Sequence, residues 1–182
     1  MVHCWADAGS FASVFTVHGT KTFLDRCKQP AVQPVVPSTV FGNWYATVVL
    51  WRPQIALFVN AQTFLPVFVP LAPASRVLTR FPPVMADVLD RIGIDPRVVA
   101  NEVTEMGVVS VAKTADRQVL GVMKELIFMA DAAVDHGFDP ADVVGLSVSI
   151  AGRLIGPLYK PKGGPGNPAE AARRHAAFVL PT

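Results

Sequence analysis

The run Asn43–Ala72, NWYATVVLWRPQIALFVNAQTFLPVFVPLA, decides the fold. It contains three segments, Asn43–Trp51 (NWYATVVLW), Ile55–Val59 (IALFV) and Phe64–Val69 (FLPVFV), rich in the β-branched and aromatic residues that suit a pleated, buried backbone. The breaks between them, Arg52-Pro53-Gln54 and Asn60-Ala61-Gln62-Thr63, are short, polar and turn-forming. The spacing predicts three consecutive antiparallel strands, a β-meander. Pro66 and Pro70 have no N–H to give to a ladder, so the third strand is expected at a sheet edge or at a bulge. Alternation sends Tyr45 and Trp51 to one face and Trp44 to the other, as in ordinary sheet packing, which outweighs a base-stacking role for these rings.

A membrane-spanning helix competes with this reading, because no charged residue falls between Pro53 and Ala74. Pro66, Pro70 and Pro73, with Gln54, Asn60, Gln62 and Thr63, would leave such a helix with unpaired backbone groups in lipid. The sheet is therefore retained and no membrane partner is expected. Met1–Ser13 contains Asp7 and has neither a basic start nor a long apolar run, so no secretory signal is read there.

The 182 residues are enough for one domain with a substantial core. With 51% hydrophobic and 16% charged residues, the chain reads as a soluble globular protein. The formal charge is +2 and the basic residues are scattered among acids, without the concentrated basic face of a nucleic-acid binder. Two cysteines, Cys4 and Cys27, and four histidines show neither a disulfide framework nor metal-ligand spacing. No metal or cofactor is expected, and a reducing cytoplasm is the expected location.

Outward from the meander, Val14–Val17 forms a short strand, and Thr20 caps a helix running to about Lys28. Gln29–Ser38 (QPAVQPVVPS) carries three prolines and reads as an extended segment packed on the body. Ser75–Arg80 is expected as a helical turn interrupted by Pro82 and Pro83, followed by a helix carrying Val84, Met85, Val88, Leu89 and Ile92 and ending near Gly93. Asp95-Pro96 opens another helix, reaching to about Val103, by cap and first-turn proline. Met106–Ala112 reads as a strand. The strongest helix carries Val119, Val122, Met123, Leu126, Ile127, Ala130, Ala133 and Val134 and ends at His136-Gly137. Asp139-Pro140 is expected to open a helix to about Leu154. Lys160–Asn167 reads as a Gly/Pro-rich connector, and Asn167-Pro168-Ala169-Glu170 as a capping box for a terminal helix to about Val179. The organisation is thus an N-terminal extension over 1–13, one α+β domain over 14–159, and a connector with a C-terminal helix over 160–182.

Four separated motifs in order resemble a small bacterial family classed as a domain of unknown function. They are Val17-His18-Gly19-Thr20-Lys21, Gly42-Asn43-Trp44-Tyr45, Leu57-Phe58-Val59-Asn60 with Thr63-Phe64-Leu65-Pro66, and Ala112-Lys113-Thr114-Ala115-Asp116-Arg117-Gln118-Val119-Leu120-Gly121. The chain departs from the family at Lys124-Glu125, where members carry a polar amide pair. The resemblance implies an intracellular bacterial α+β domain and no particular activity.

Candidate chemistry gathers at two strand-to-helix junctions. Lys113, Thr114 and Arg117 stand where free backbone N–H groups and a helix dipole can receive an anion, although Asp116 competes as the cap. His18 and Lys21 would set an imidazole beside an ammonium, a pair able to move protons. If their strands run parallel, the two junctions open on one edge of the sheet. Cys27 with His18 could form a nucleophile and base, but packing is the expected role of this thiol. Gly145-Leu146-Ser147-Val148-Ser149 misses the final glycine of a nucleophile elbow and lies in a helix. No Walker, H-E-x-x-H or dinucleotide-glycine motif occurs.

The fold expected is α+β, an antiparallel β-meander sheet packed against several helices. The function expected first is a cytoplasmic binding or regulatory module acting through a sheet edge or helical face. A small enzyme at His18, Lys21, Lys113 and Arg117 comes second, and a nucleic-acid binder third. Its expected partners are a protein or a small anionic ligand, with a homodimer open.

Overall fold

A computed structural model describes residues 13–161 and 163–178. Of the extension expected over 1–13, all but Ser13 lies outside the described residues, as do Cys4 and the expected helix end at Val179.

The meander forms as its sequence dictates. Strands β2 (Asn43–Val49), β3 (Ile55–Asn60) and β4 (Pro66–Pro70) pair antiparallel in succession, with Val49 opposite Ile55 and Val59 opposite Pro66. The β3–β4 turn is organised by buried Asn60. Its Oδ1 accepts from the N–H groups of Gln62 (3.1 Å) and Thr63 (3.0 Å) and from the Thr63 hydroxyl, while its Nδ2 donates to the Phe41 carbonyl at 2.6 Å. Phe64 follows in the left-handed region (φ 56), an unfavourable setting for a bulky residue, held by burial of its ring.

The whole sheet is mixed, not a purely antiparallel meander. Its order is β4-β3-β2-β1-β5, with β1 (Val14–Gly19) parallel to both β2 and β5 (Val108–Lys113). The reason lies in the connections. Between β1 and β2 run helix α1 (Lys21–Cys27) and the proline-rich segment, long enough to carry the chain back and start β2 in the same direction, whereas a tight turn can only reverse it.

Helices cover both faces. On one side α1, α2 (Val77–Arg91) and α3 (Pro96–Glu105) bury Phe15, Val17, Trp44, Ala46, Phe58 and Val67; the Phe58 and Phe81 rings stack at 4.2 Å. On the other, α4 (Arg117–Asp135) packs Val119, Val122, Met123 and Leu126 over Tyr45, Leu57, Val59 and Phe68. Tyr45 and Trp44 accordingly belong to opposite layers. Helices α5 (Val143–Ala151), α6 (Gly156–Tyr159) and α7 (Pro168–Ala177) complete the fold, and α7 buries Ala169, Ala171, Ala172 and Ala176.

Two local expectations are corrected. Pro82 and Pro83 do not interrupt α2, which runs through them. Each removes one intrahelical donor, but the buried stripe Val77, Leu78, Phe81, Met85, Val88 and Leu89 holds the helix on the core. Arg80 also ties its start to the end of β4 through the carbonyls of Leu71 (3.0 Å), Ala72 (2.6 Å) and Pro73 (2.6 Å). Helix α5 begins at Val143, not at Pro140: Asp139 Oδ1 closes a turn by accepting from Ala141 N–H, and Asp142 is the residue that caps the helix, accepting from Gly145 N–H at 2.9 Å.

Both sheet edges are engaged. At β4 the Phe68 N–H donates to Ser147 Oγ of α5 at 2.9 Å. At β5 the Val32 N–H of the proline-rich segment donates to the Val111 carbonyl at 2.8 Å. The Thr16 hydroxyl of β1 donates to the Val35 carbonyl of the same segment.

Candidate functional site

The parallel pairing of β1 with β5 sets His18 opposite Ala112 and Gly19 opposite Lys113, so the two strand-to-helix junctions lie side by side at one end of the sheet. Thr20 accepts from Phe23 N–H to cap α1, while its own N–H donates to the Ala46 carbonyl at 2.9 Å. Gly19 lets Leu24 pack closely here: a Cβ would come within 2.8 Å of Leu24 Cδ2, which would have to shift.

Between α1 and the end of β5 opens a cleft of about 490 Å³ lined by Gly19, Lys21, Leu24, Asp25, Lys113 and Thr114. Lys21 and Lys113 are exposed, so neither ammonium loses much hydration, and Thr114 is half-buried. Asp25 sits one helical turn after Lys21 and puts a carboxylate on the same wall. It escaped sequence reading, although the four-residue step from Lys21 on a capped helix was a usable signal.

Two of the five candidate residues stay outside this cleft. His18 points to the opposite face of the sheet, where it is buried and its ring stacks on Tyr45 at 4.7 Å and 17°. Its Nδ1–H donates to the Lys113 carbonyl at 3.1 Å. Burial pushes the Tyr45 hydroxyl above its usual range, the charge of Asp116 adds to this, and hydrogen bonding from the backbone of Asp116 and Ala115 opposes it. Arg117 opens α4 as an exposed residue beyond the cleft. The α4 end is already capped, since Asp116 Oδ1 accepts from the N–H groups of Gln118 (2.7 Å) and Val119 (3.2 Å).

Cys27 and His18 lie on opposite sides of the sheet and form no nucleophile–base pair. Burial pushes the Cys27 thiol up to about 11, which makes it a packing residue. Ser147 is wholly buried, accepting from Phe68 N–H and donating to the Val143 carbonyl at 2.6 Å. Among the described residues no group of three or more His, Cys, Asp or Glu could hold a metal ion, and no helix is long and apolar enough to cross a membrane.

Neither a curated protein nor a solved structure shows a significant match to the chain. A family model does, and it spans β1 to the start of α7, so that both junctions and the cleft fall within it. Matched over residues 16–170, the chain belongs to the family described as a domain of unknown function, DUF6933.

Proposed function

We propose that the protein is a binding module whose site is the cleft between α1 and the end of β5, and whose ligand is a small anion. The observation that carries this reading is the convergence of Lys21, Lys113 and Thr114 at the carboxyl ends of two parallel strands, the place where α/β units hold ligands. The volume suits a small molecule. Two ammonium groups and a hydroxyl offer donors to phosphate or carboxylate oxygens, and Asp25 can accept from a donor on the same ligand. Binding is favoured over catalysis because the His18 imidazole turns to the other face of the sheet, leaving the cleft without a histidine base. Binding through a sheet edge is disfavoured because both edges carry hydrogen bonds from covering segments.

Titration with inorganic phosphate, followed by backbone amide NMR shifts, tests the reading. Saturable shifts at residues 19–25 and 113–114 are expected, abolished in the Lys21→Ala/Lys113→Ala variant. The melting temperature should move by only a few degrees, since exposed charges contribute about 0–1 kcal/mol. Shifts that survive in the variant, or none at high phosphate, overturn the assignment.

A further inference from the structure

Helix α4 carries a stripe that its packing on the sheet does not use. Arg117, Gly121, Lys124, Phe128, Ala132 and Asp135 follow one another at three- and four-residue steps and fall within about 40° of one line along the helix. All are exposed except Ala132, which is half-buried, and Phe128 leaves 74% of its surface to solvent. Beside it runs an apolar groove of about 680 Å³, in which Met129, Ala132 and Ala133 of α4 face Gly152, Arg153 and Leu154 at the end of α5. Leu154 is 61% exposed. Phe128 with its small neighbours and the adjoining groove makes a contiguous exposed apolar patch, unlike the aromatic rings carried by the strands, which are buried.

The charges along the stripe say what fits it. Its N-terminal half is cationic, with Arg117 and Lys124, and its C-terminal end is anionic, with Asp135; none of the three makes an ion pair among the described residues. A second α4 laid parallel would set like charges together. Laid antiparallel about a point near residue 130, it sets Lys124 against Asp135 on both sides of that point, which is the self-complementarity a two-fold interface requires, and leaves Arg117 beyond the overlap. We propose that α4 is a homodimer interface: two copies pack these helices antiparallel about a two-fold axis, each Phe128 seated on the other copy's Ala132 and groove, and each Lys124 beside the other copy's Asp135. With the axis at the level of residue 130, both pairings occur at once. This interface does not depend on the cleft.

Sedimentation velocity on the full chain over a concentration series tests it. The natural chain is expected to reach a dimer, and Phe128→Lys to remain monomeric, with the melting temperature that the natural chain shows when diluted below its dissociation constant. Lys124→Asp and Asp135→Lys, each alone, repeat a like-charge contact twice across the axis and should raise the dissociation constant at least about tenfold. Mixing the two single variants should produce a heterodimer, and Lys124→Asp/Asp135→Lys in one chain should recover the homodimer, because each reversal then meets its opposite. A natural chain that stays monomeric at its highest soluble concentration overturns the proposal. So does a dimer indifferent to Phe128→Lys, or a double variant that fails to recover.

Discussion

Glu102 shows how far a single residue can depart from what its neighbours in the chain announce. It is wholly buried on α3 and accepts from the Val40 N–H at 2.6 Å and the Phe41 N–H at 3.2 Å, pinning the strand-ward end of the proline-rich segment. From the other side the His175 Nε2–H of α7 donates to the Val40 carbonyl at 2.8 Å. Burial pushes the Glu102 carboxyl up to about 7, against the two N–H bonds that favour its ionised form and with a further push from the charge of Glu105. The unfolded chain releases this proton near 4.5, so between about 4.5 and about 7 the folded state holds more protons than the unfolded one. This contribution is fully present below 4.5 and is lost as pH rises through about 7, on the order of 3 kcal/mol in all. Thermal melts from about pH 5 to about pH 8 should therefore show the natural chain losing stability relative to Glu102→Gln, which has no proton to release in that window. Parallel pH curves for the two would remove Glu102 as the cause.

At the scale of elements, the local code is legible at most caps and turns, with Asp139 the exception, and is lost where packing overrules it. Thr20, Asp95 and Asn167 accept the N–H bonds that their sequence contexts announce. Glu170 does not reach back to complete the capping box; it pairs with Arg173 and Arg174, which hold its carboxyl below the usual range. The prolines of α2 read as a break because propensity counts lost donors and cannot count the six apolar side chains that the helix buries. Ser147 is another such case. Inside an apolar helix it looks like a failed catalytic motif, yet its hydroxyl occupies the one place that satisfies the outward N–H of Phe68 on the edge strand. Ser147→Ala should cost about 1–3 kcal/mol, the usual penalty for orphaning a buried donor, measured as a lower urea midpoint with an unchanged slope. A neutral substitution would mean that the Phe68 N–H finds another partner.

For the whole molecule, α7 is part of the core although a glycine- and proline-rich connector precedes it. Four of its alanines are buried, His175 reaches Val40, and Arg173 Nη1 donates to the Ile92 carbonyl at 3.0 Å. A chain ending at Lys160 should melt lower by roughly 10 °C or more, because a loss of a few kcal/mol moves the midpoint by about 2–4 °C per kcal/mol at this size. Melting at the full-length temperature would make α7 an appendage. The connector that introduces it is itself tied down, with the Gly166 N–H donating to the Leu158 carbonyl and the Ile155 N–H to the Gly166 carbonyl.

What the sequence alone determined is what neighbouring residues impose on one another. Three β-rich runs divided by short polar breaks could only reverse direction at each break, and the alternation of Trp44 and Tyr45 assigned their faces before any partner was known. What the tertiary structure decided is everything that turns on distant pairing. Strand β1 lies inside the sheet, parallel to both neighbours, because a long crossover lets the chain return in the same direction, and no period in the sequence records which strand it returns beside. That choice brings His18 to the carbonyl of Lys113, 95 positions away, sets Lys21, Lys113 and Thr114 around one cleft, and sends the His18 ring through to the other face. The two junctions were legible as candidates one at a time. The separation of His18 from the cleft was not, because alternation sets His18 opposite Val17 without recording on which side of the strand α1 and the cleft come to lie.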